Sequence, residues 1–577
     1  MTLQNCKAAL FSAEFGIRSD IPLYSGGLGI LAGDLLKSAA DIGLPLAGVG
    51  GLYHNGFFRQ VLNECGWQCE EPIKFNPEEH GFNLLNIREK INISGRDVYV
   101  GAYEYKIKGR KSEIPLYLLT TNLPENTEFD RNLTSRLYEE GDNKEYFRTA
   151  QYRILATGVR ILQHLGYDIK TYHLNEGHGA LVALELLNQG LTRDQVKERC
   201  WFTTHTPIEA AFDHFSMGQV KYVLPEEECK KLLPYCASIN GNPYLGTAEL
   251  AIALSRGVNA VSKKHAEVSS RMDIFKGIDI VPITNGIHLP TWVHPAKAAL
   301  YESQLPGIFE NPEKFIEINS LDAKLYRIVR REYRAAHKKA QDDLFDLIQD
   351  STGVKFEPGY LTIGFARRGT DYKRADLILH DLADFARITK DKAQIVFSGK
   401  AHPRDTASKG LIQKVWLGCK ELREKYGVKA VYLSDYDMAT AEKIVQGVDL
   451  WLNNPRRPQE ACGTSGMKVA ANGGVNLSVL DGWWAEAYDG RNGFAIAPDN
   501  HTNNYETDSK AIRYLLEHKA LPIFGGAEWE KMVINSIMLA AFFNANRNIK
   551  EYNEKAYNSQ RSLEKITKSM ALVAVNN

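Results

Sequence analysis

The feature that most constrains the fold of this chain is a repeated alternation of short apolar segments with helical patterns. In the first half the apolar segments are AALFSAEF near residue 8, PLAGVG near 45, DIKTYHLNEGH near 168, CWFTTHT near 200 and GVNAVS near 257. Strands that alternate with helices favour a parallel sheet with crossover helices. The first half is therefore predicted to form an α/β domain.

The same alternation restarts after residue 300, in YLTIGFA (360–366), AQIVFSG (393–399), AVYLSDYD (430–437), VDLWLNN (448–454) and VNLSVLDG (475–482). The pattern predicts an α/β fold of two Rossmann-like, doubly wound domains, 1–300 and 301–577, that face each other across a cleft. The helical segment 528–557 is a candidate to cross back to the first domain. Open α/β sheets bind ligands at the carboxyl ends of their strands, so we expect the functional residues there.

Composition excludes several classes of protein. Lys plus Arg and Asp plus Glu both number 70, so the zero net charge gives no overall attraction for nucleic acid or anionic lipid. The eight cysteines form no dense framework, and Cys65 and Cys69 lack a second ligand pair at zinc-site spacing. The sequence has no signal-peptide pattern and no apolar run of about 18 residues. These features predict a cytoplasmic protein with reduced thiols.

Glycines and histidines follow apolar segments of the first half. Gly26, Gly27 and Gly29 precede a helical pattern in SGGLGILAGD, where free N–H groups can bind an anion or the glycines can simply make a tight turn. His178 in NEGH and His205 in THTP are compatible with a polar substrate site or with buried structural histidines. No HExxH motif is present, so no catalytic metal is expected.

A basic cluster follows the first strand of the second half. In GFARRGTDYKRADL, Arg367, Arg368, Lys373 and Arg374 come directly after an apolar segment. Guanidinium and ammonium groups match phosphate, whereas most basic clusters are solvated loops. Because cations that are desolvated at a strand end need an anionic partner, we favour phosphate binding.

Lys468 lies in EACGTSGMK, about one turn into a helix that begins at GTSG. The N–H groups of GTSG can form an anion nest. A buried lysine with a depressed pKa can form a Schiff base, whereas most helix lysines are exposed. Spacing alone favours the exposed lysine.

These motifs, in this order, resemble the α-glucan phosphorylases, the family of glycogen and starch phosphorylases. The resemblance runs from residue 13 to 484 through AEFG, YSGGLGILAGD, NEGH, THTP, ITNGIH, GFARR, DYKRA, GKAHP, SDYD, EACGTSGMK and LDGWW. WEKMVINSI and KEYNEKAY are similar to the family's C-terminal segment. The family implies a GT-B fold, in which two Rossmann-like domains face each other.

The resemblance implies that Lys468 carries pyridoxal 5′-phosphate as a Schiff base and that the cofactor's phosphate takes part in the reaction. Arg368 and Lys373 match the residues that bind inorganic phosphate, in agreement with their charge. The other residues implied to hold the cofactor are Gly463, Thr464, Ser465, Arg367, Tyr436 and Gly27.

The implied reaction is reversible phosphorolysis of a terminal α-1,4-linked glucose, which releases glucose 1-phosphate with retention. The substrate phosphate would protonate the glycosidic oxygen and attack the anomeric carbon, so no pair of catalytic carboxylates is needed. His205 would hold the sugar, and its backbone carbonyl would stabilise the developing positive charge. The other residues implied in the sugar site are Glu460, Cys462, Leu28, His178 and Glu176.

Several departures from the family pattern affect these expectations. The chain begins almost at AEFG, so the N-terminal extension that carries phosphorylation and nucleotide control in the animal enzymes is not expected. Cys462 stands where many relatives have serine, which predicts altered sugar contacts or sensitivity to thiol reagents. Glu176 replaces an aspartate of the animal enzymes.

The expected partners are an α-glucan or maltooligosaccharide and inorganic phosphate, with no nucleic acid and no membrane. The family's usual dimer makes a homodimer a candidate assembly. Two other functions stay open: a sugar-nucleotide glycosyltransferase of the same fold, which needs no Schiff-base lysine, and a catalytically silent glucan-binding relative.

Overall fold

The computed structural model describes residues 6–138, 143–239, 241–320, 323–498 and 503–558. The two ends of the chain, 1–5 and 559–577, which the predicted domains include, lie outside the described residues. The strands of the first half are β1 (Ala8–Phe11), β2 (Leu46–Gly51), β3 (Arg59–Leu62), β4 (Gln68–Glu71), β5 (Asn83–Leu84), β6 (Glu89–Ile93), β7 (Arg96–Lys108), β8 (Glu113–Thr120), β9 (Thr171–Asn175), β10 (Cys200–Thr203), β11 (His214–Ser216), β12 (Ala237–Ile239), β13 (Asn242–Gly246), β14 (Val258–Ala260) and β15 (Ile280–Pro282). The helices of the first half are α1 (Gly27–Ile42), α2 (Glu128–Arg131), α3 (Lys144–Ala156), α4 (Gly158–His164), α5 (Leu181–Asn188), α6 (Arg193–Arg199), α7 (Met217–Val223), α8 (Glu226–Leu232), α9 (Thr247–Ala253), α10 (Lys263–Ser269), α11 (Leu289–Trp292) and α12 (Pro295–Gln304).

The second half repeats the alternation. Its strands are β16 (Leu361–Ala366), β17 (Ala393–Ser398), β18 (Ala430–Leu433), β19 (Leu450–Asn453), β20 (Val475–Ser478) and β21 (Gly493–Ala495). Its helices are α13 (Ala323–Thr352), α14 (Leu382–Thr389), α15 (Thr406–Tyr426), α16 (Met438–Gly447), α17 (Ser465–Ala471), α18 (Trp484–Ala487), α19 (Tyr505–Leu515), α20 (Leu521–Ile523), α21 (Ala527–Met538) and α22 (Ala545–Tyr552).

The first sheet runs in the order β15-β14-β10-β9-β1-β2-β8-β7-β5. The strands from β15 to β8 are parallel. The apolar segments of the sequence predicted β1, β2, β9, β10 and β14, but not β8 or β15. An antiparallel edge of β5, β6 and β7 extends this sheet, and the sequence interpretation did not include it. Strand β1 pairs with β2 on one side and β9 on the other, so the winding direction reverses at β1.

The second sheet is entirely parallel and runs in the order β18-β17-β16-β19-β20-β21. This is the doubly wound order in which the first strand lies beside the fourth, and the winding reverses between β16 and β19. The prediction of two doubly wound domains facing a cleft is confirmed. None of the described helices combines the length and apolar character that crossing a bilayer requires.

The hairpin β3–β4 of the first half binds the loops that follow β17 and β18. The side-chain amide of Gln60 accepts from the N–H of Asp435 (2.8 Å) and donates to the carbonyl of Gly399 (2.9 Å). The side-chain amide of Gln68 bonds both the N–H and the carbonyl of Ala401, each at 2.9 Å. Each glutamine therefore satisfies backbone N–H and C=O groups of these loops, as the backbone of a neighbouring strand would.

The end of the described chain returns to the first half. Helix α22 packs against α1, and Asn544 forms an isolated β-bridge with Ile287. The Tyr557 hydroxyl lies 2.8 Å from His173 Nδ1, inside the first sheet. One hydrophobic core surrounds the second sheet and includes α21, while two others cover the two faces of the first sheet.

Candidate functional site

The carboxyl ends of both sheets open into one cleft of about 530 Å³. The reversal points of both sheets face this cleft, because Glu14 follows β1, Glu176 follows β9 and Arg367 follows β16. Every residue that the resemblance implied for the site lines the cleft: Gly27, Leu28, Glu176, His178, His205, Arg367, Arg368, Lys373, Tyr436, Glu460, Cys462, Gly463, Thr464, Ser465 and Lys468. Gly29 and Arg374, which the sequence also suggested for anion binding, do not line it, and the buried Arg374 guanidinium instead pairs with Asp508 at 2.7 Å.

Lys468 is buried. Its spacing alone had favoured an exposed position on the helix, so that interpretation was wrong. Its Nζ lies 3.3 Å from the centre of the Trp292 ring. Within the described residues this nitrogen makes no hydrogen bond and no ion pair. Burial lowers the pKa of the Lys468 amine to about 8, although the charges of Asp34 and Glu442 oppose this shift. A partly neutral amine therefore faces the cleft.

The basic cluster surrounds one buried carboxylate. Glu460 Oε2 accepts from Arg367 Nη2 at 2.5 Å and from Lys373 Nζ at 3.3 Å. Arg367 also donates to the Asn453 side chain at the end of β19. Arg368 is exposed to the cleft and has no acidic partner among the described residues. The cluster therefore carries more positive than negative charge, which suits an added anion.

The ionisation of this cluster depends on desolvation and on the neighbouring charges. Burial and the charge of Arg367 lower the pKa of Lys373 to about 7, although Glu460 favours the protonated amine. Burial would raise the pKa of the Glu460 carboxyl, but Arg367 and Lys373 outweigh it and hold that pKa below its ordinary value. Glu460 Oε1 accepts from none of the described residues, so it can accept a hydrogen bond from a ligand.

A buried carboxylate fixes the glycine loop. Glu14 accepts from the Ser25 N–H (2.7 Å), the Ser25 hydroxyl (3.0 Å), the Gly26 N–H (3.1 Å) and the Tyr138 hydroxyl (2.5 Å). These contacts direct the first turn of α1, from Gly27, toward the cleft. A Cβ at Gly26 would lie 3.6 Å from Arg368 Nη1, so the loop packs against a cation of the other domain.

The loop after β10 is held by Glu176. The Glu176 carboxylate accepts from the His205 N–H (2.7 Å), the Thr206 hydroxyl (3.0 Å) and the Gly177 N–H (3.1 Å). Burial raises the pKa of Glu176 to about 7 despite these donors, and its backbone φ of 67° is rare for a residue other than glycine. His205 Nε2 lies 2.6 Å from Asn175 Oδ1. Burial lowers the pKa of His205 to about 3, so the ring is neutral.

His178 lies between the rings of Tyr138 and Tyr152, at 5.6 and 5.5 Å between centroids. Its buried Nδ1 has no hydrogen-bond partner among the described residues. Burial lowers the pKa of the imidazole, so it is neutral and can bond to an uncharged polar ligand. Beside it, Arg148 and Tyr152 both bond the Asp213 carboxylate, at 2.9 and 2.6 Å.

The remaining predicted residues lie on the loops beside Lys468. Gly463 adopts a φ of 84°, which favours glycine, and turns the chain into α17, where residues 464–465 begin the helix. The Tyr436 hydroxyl donates to the Ala366 carbonyl (3.2 Å). Cys462 is 4% exposed, and burial raises the pKa of its thiol far above the ordinary value. The predicted sensitivity to thiol reagents therefore has no support, because the thiolate is suppressed.

Sequence reasoning missed Glu14 and Trp292. Both stand in or beside motifs that carried the resemblance, since Glu14 lies in AEFG and Trp292 follows ITNGIH. A search of strand ends for acidic residues would have found Glu14, which comes three residues after β1.

No group of His, Cys, Asp and Glu suited to a metal exists among the described residues. A separate cavity of about 430 Å³ between α13 and α21 contains none of the predicted residues.

Comparisons with known proteins identify the family of this chain. The carbohydrate phosphorylase family model matches residues 216–490. Maltodextrin phosphorylase of Thermococcus litoralis is 36% identical over 94% of this chain and 69% of its own length. Glycogen phosphorylase of Aquifex aeolicus is 34% identical over 95% of this chain and 85% of its own. An uncharacterized protein of Methanocaldococcus jannaschii is 30% identical over 95% and 99%. The chain therefore belongs to the carbohydrate phosphorylase family, as its motifs predicted.

Proposed function

We propose that this protein is a pyridoxal-phosphate-dependent α-glucan phosphorylase. It would transfer the terminal α-1,4-linked glucose of a glucan or maltooligosaccharide to inorganic phosphate, with retention, and release glucose 1-phosphate. The observation that carries this proposal is the buried Lys468 amine, which opens into the same cleft as Arg367, Arg368 and Lys373. The names of the relatives, maltodextrin and glycogen phosphorylase, support the substrate class.

The residues around Lys468 fit the cofactor. With a pKa of about 8, on the order of a tenth of the Lys468 amines are neutral at pH 7, the form that reacts with an aldehyde. The flat Trp292 ring lies directly beside that amine. Arg367 and the hydroxyls of residues 464–465 line the same cleft as Lys468 and suit a phosphate group. When bound, the cofactor supplies a phosphate that can exchange a proton beside the substrate phosphate.

Arg368 and Lys373 would bind the substrate phosphate. That phosphate gives its proton to the glycosidic oxygen as the bond to the anomeric carbon breaks, and its oxygen then bonds that carbon on the same face. Retention follows, and the glucan leaves with a new hydroxyl. The cations stabilise the two negative groups that this chemistry brings together.

The sugar would be held by groups from both domains. Glu460 Oε1 would accept a sugar hydroxyl, since Oε2 is already shared by two cations. Glu176 and Asn175 fix the His205 loop from its backbone and its ring. The fixed loop would keep the His205 carbonyl beside the reacting carbon. The Gly27 and Leu28 N–H groups at the start of α1 would bond polar groups of the sugar or phosphate.

We assign glucan binding to residues 1–300 and cofactor and phosphate binding to 301–577, with the last helices crossing back. The packing of α22 on α1 supports the crossing back of the last helices. A cytoplasmic location is supported by the eight cysteines of the sequence, none of which pairs with another in the structure.

Borohydride reduction and peptide mapping test the cofactor assignment. We expect a phosphopyridoxyl group on Lys468 of the parent chain and none on the Lys468→Arg variant. Absence of the label from Lys468 of the parent chain would refute the cofactor assignment.

Phosphorolysis of maltooligosaccharides, starch and glycogen tests the reaction, with the α-anomer of glucose 1-phosphate identified by NMR. Transfer from a nucleotide sugar without use of phosphate would instead establish a glycosyltransferase. Glucan binding without glucose 1-phosphate would establish a silent relative.

A further inference from the structure

The Trp292 indole beside Lys468 is held by a carboxylate of its own domain, on helix α1. Asp34, on α1, accepts from Trp292 Nε1 at 2.8 Å and from the His288 N–H at 3.2 Å, both through Oδ2. Asp34 is 1% exposed and Trp292 is fully buried. One carboxylate oxygen therefore fixes both ends of the short turn 288–292 that carries the indole.

The backbone of the same tryptophan is joined to the backbone of Lys468. Asn472, the residue that ends α17, donates through Nδ2 to the Trp292 carbonyl (2.8 Å) and to the Lys468 carbonyl (2.9 Å). Its Oδ1 accepts from the His294 N–H (2.9 Å). The ring and the amine are thus held against each other from two directions, by Asp34 at the indole and by Asn472 at the main chain.

Asp34 belongs to a small group of buried and half-buried charges that act on the lysine. Lys37, one turn further along α1, donates to the Thr291 hydroxyl at 3.0 Å. Asp34 and Glu442 favour the protonated Lys468 amine, and Lys37 opposes it. Asp34 Oδ1 is buried and has no hydrogen-bond partner among the described residues. A buried acceptor without a hydrogen bond destabilises the folded state, so its presence here indicates that Asp34 has a functional role.

We propose that Asp34 is a positioning residue for Lys468, acting by fixing the Trp292 indole as the surface on which the lysine amine and its cofactor lie. This inference rests on the proposed function, because it assumes that Lys468 carries the cofactor. Helix α1 would then serve the site twice: its glycine start faces the cleft, and Asp34 orients the lysine of the other domain. Capture of an aldehyde requires the amine at a defined place, so a loose indole slows attachment.

Comparing two substitutions separates placement from charge. Asp34→Ala removes both the acceptor and the negative charge, while Asp34→Asn removes the charge and keeps an oxygen that can accept from the indole. Asp41→Ala is the matched control, since Asp41 lies on the same helix and bonds His288 Nε2 (3.1 Å) but not Trp292. The full-length proteins are freed of cofactor, pyridoxal phosphate is added back, and the rate of borohydride-stable labelling of Lys468 is measured.

We expect Asp34→Ala to slow labelling by about tenfold or more, the scale of one lost hydrogen bond to a charged group. Asp34→Asn and Asp41→Ala should stay within about threefold of the parent, because each keeps the contact to the indole. In a Trp292→Phe background, which lacks the N–H, Asp34→Ala should have little further effect. Circular dichroism confirms that each variant is folded.

The inference would be overturned by labelling of Asp34→Ala at the parent rate, or by equal losses for Asp34→Asn and Asp34→Ala. An undiminished effect of Asp34→Ala in the Trp292→Phe background would also overturn it, because Asp34 would then act by another route. These outcomes differ from failure of the proposed function, in which the parent itself carries no label at Lys468.

Discussion

Glu460→Gln should make the stability of this protein depend on phosphate. Glu460 is buried, and its Oε2 neutralises Arg367 at 2.5 Å and Lys373 at 3.3 Å. Glutamine keeps the shape and one acceptor oxygen but removes the negative charge. The buried Arg367 is then left without its counter-ion, and Lys373 loses the charge that favours its protonated amine. An anion in the cleft becomes the means of neutralising Arg367 and of keeping Lys373 protonated.

The size of the effect follows from the burial of the pair. Each contact contributes a gross attraction of about 5–7 kcal/mol at an effective dielectric constant near 20, which desolvation offsets in part. Removing one partner of a buried pair costs about 3–5 kcal/mol, and we take ~3 kcal/mol because glutamine keeps an acceptor. For a domain of roughly 300 residues this lowers the melting temperature by about 5 °C. Phosphate at about 100 times its Kd raises the free energy of unfolding of the variant by about 2.7 kcal/mol, which offsets nearly all of the destabilisation.

The assay is thermal unfolding in phosphate-free buffer and across a phosphate titration at constant ionic strength. Asp508→Asn is the matched control, because Asp508 forms a fully buried pair with Arg374 (2.7 Å) but does not line the cleft. Both variants should lose stability without phosphate. Glu460→Gln alone should recover it, and by more than the parent gains, since Glu460 already neutralises the parent's cations.

Equal responses of the two variants to phosphate would refute the reasoning. The cations beside Glu460 would then be a structural ion pair like that of Asp508, and not an anion site. Recovery with chloride at the same ionic strength would also refute it, because a phosphate site should favour a dianion over a monovalent ion.

Two further predictions concern Lys373 and Lys468, which line the cleft. Lys373→Ala should raise the KM for phosphate or lower kcat by at least about tenfold while the fold is retained, because Arg367 still neutralises Glu460; unchanged phosphate kinetics would contradict the assignment. Chemical labelling of Lys468 in the cofactor-free protein should rise with pH to a midpoint near 8, because the neutral amine reacts and burial lowers its pKa to about 8. A midpoint near 10.4, the value of an exposed lysine, would show that the amine is solvated.

The parallel parts of both sheets could be predicted because their apolar runs end sharply in glycine or polar residues. The antiparallel edge was missed although a signal existed: β6 and β7 alternate in polarity and are joined by Ser94 and Gly95, which both have positive φ. Its half-exposed strands lack the continuous apolar run that identified the others. The search criterion favoured strands buried on both faces.

The charged half of the site was predictable and its supports were not. Arg367 and Lys373 follow an apolar strand, so their place at the cleft could be read from local sequence. The spacing of Lys468 favoured an exposed helix lysine, and only the family resemblance placed it in the site. Asp34 and Asn472 reach Lys468 from a distant helix and from the end of its own helix. Nothing in their spacing distinguishes them from ordinary helix residues, because their role exists through tertiary contacts alone.

The shape of the cleft depends on contacts made outside it. Lys400 and Tyr436 line the cleft and belong to the two loops that hairpin β3–β4 binds. Lys400 Nζ bonds Asp435 Oδ1 (2.7 Å) and the Phe58 carbonyl (3.2 Å), next to the start of that hairpin. Because Gln60 bonds both loops through one amide, a first-domain side chain sets the relative position of two strand ends in the second domain. Neither half of the chain can therefore hold the complete arrangement of charges by itself, and the site is a property of the assembled pair of domains.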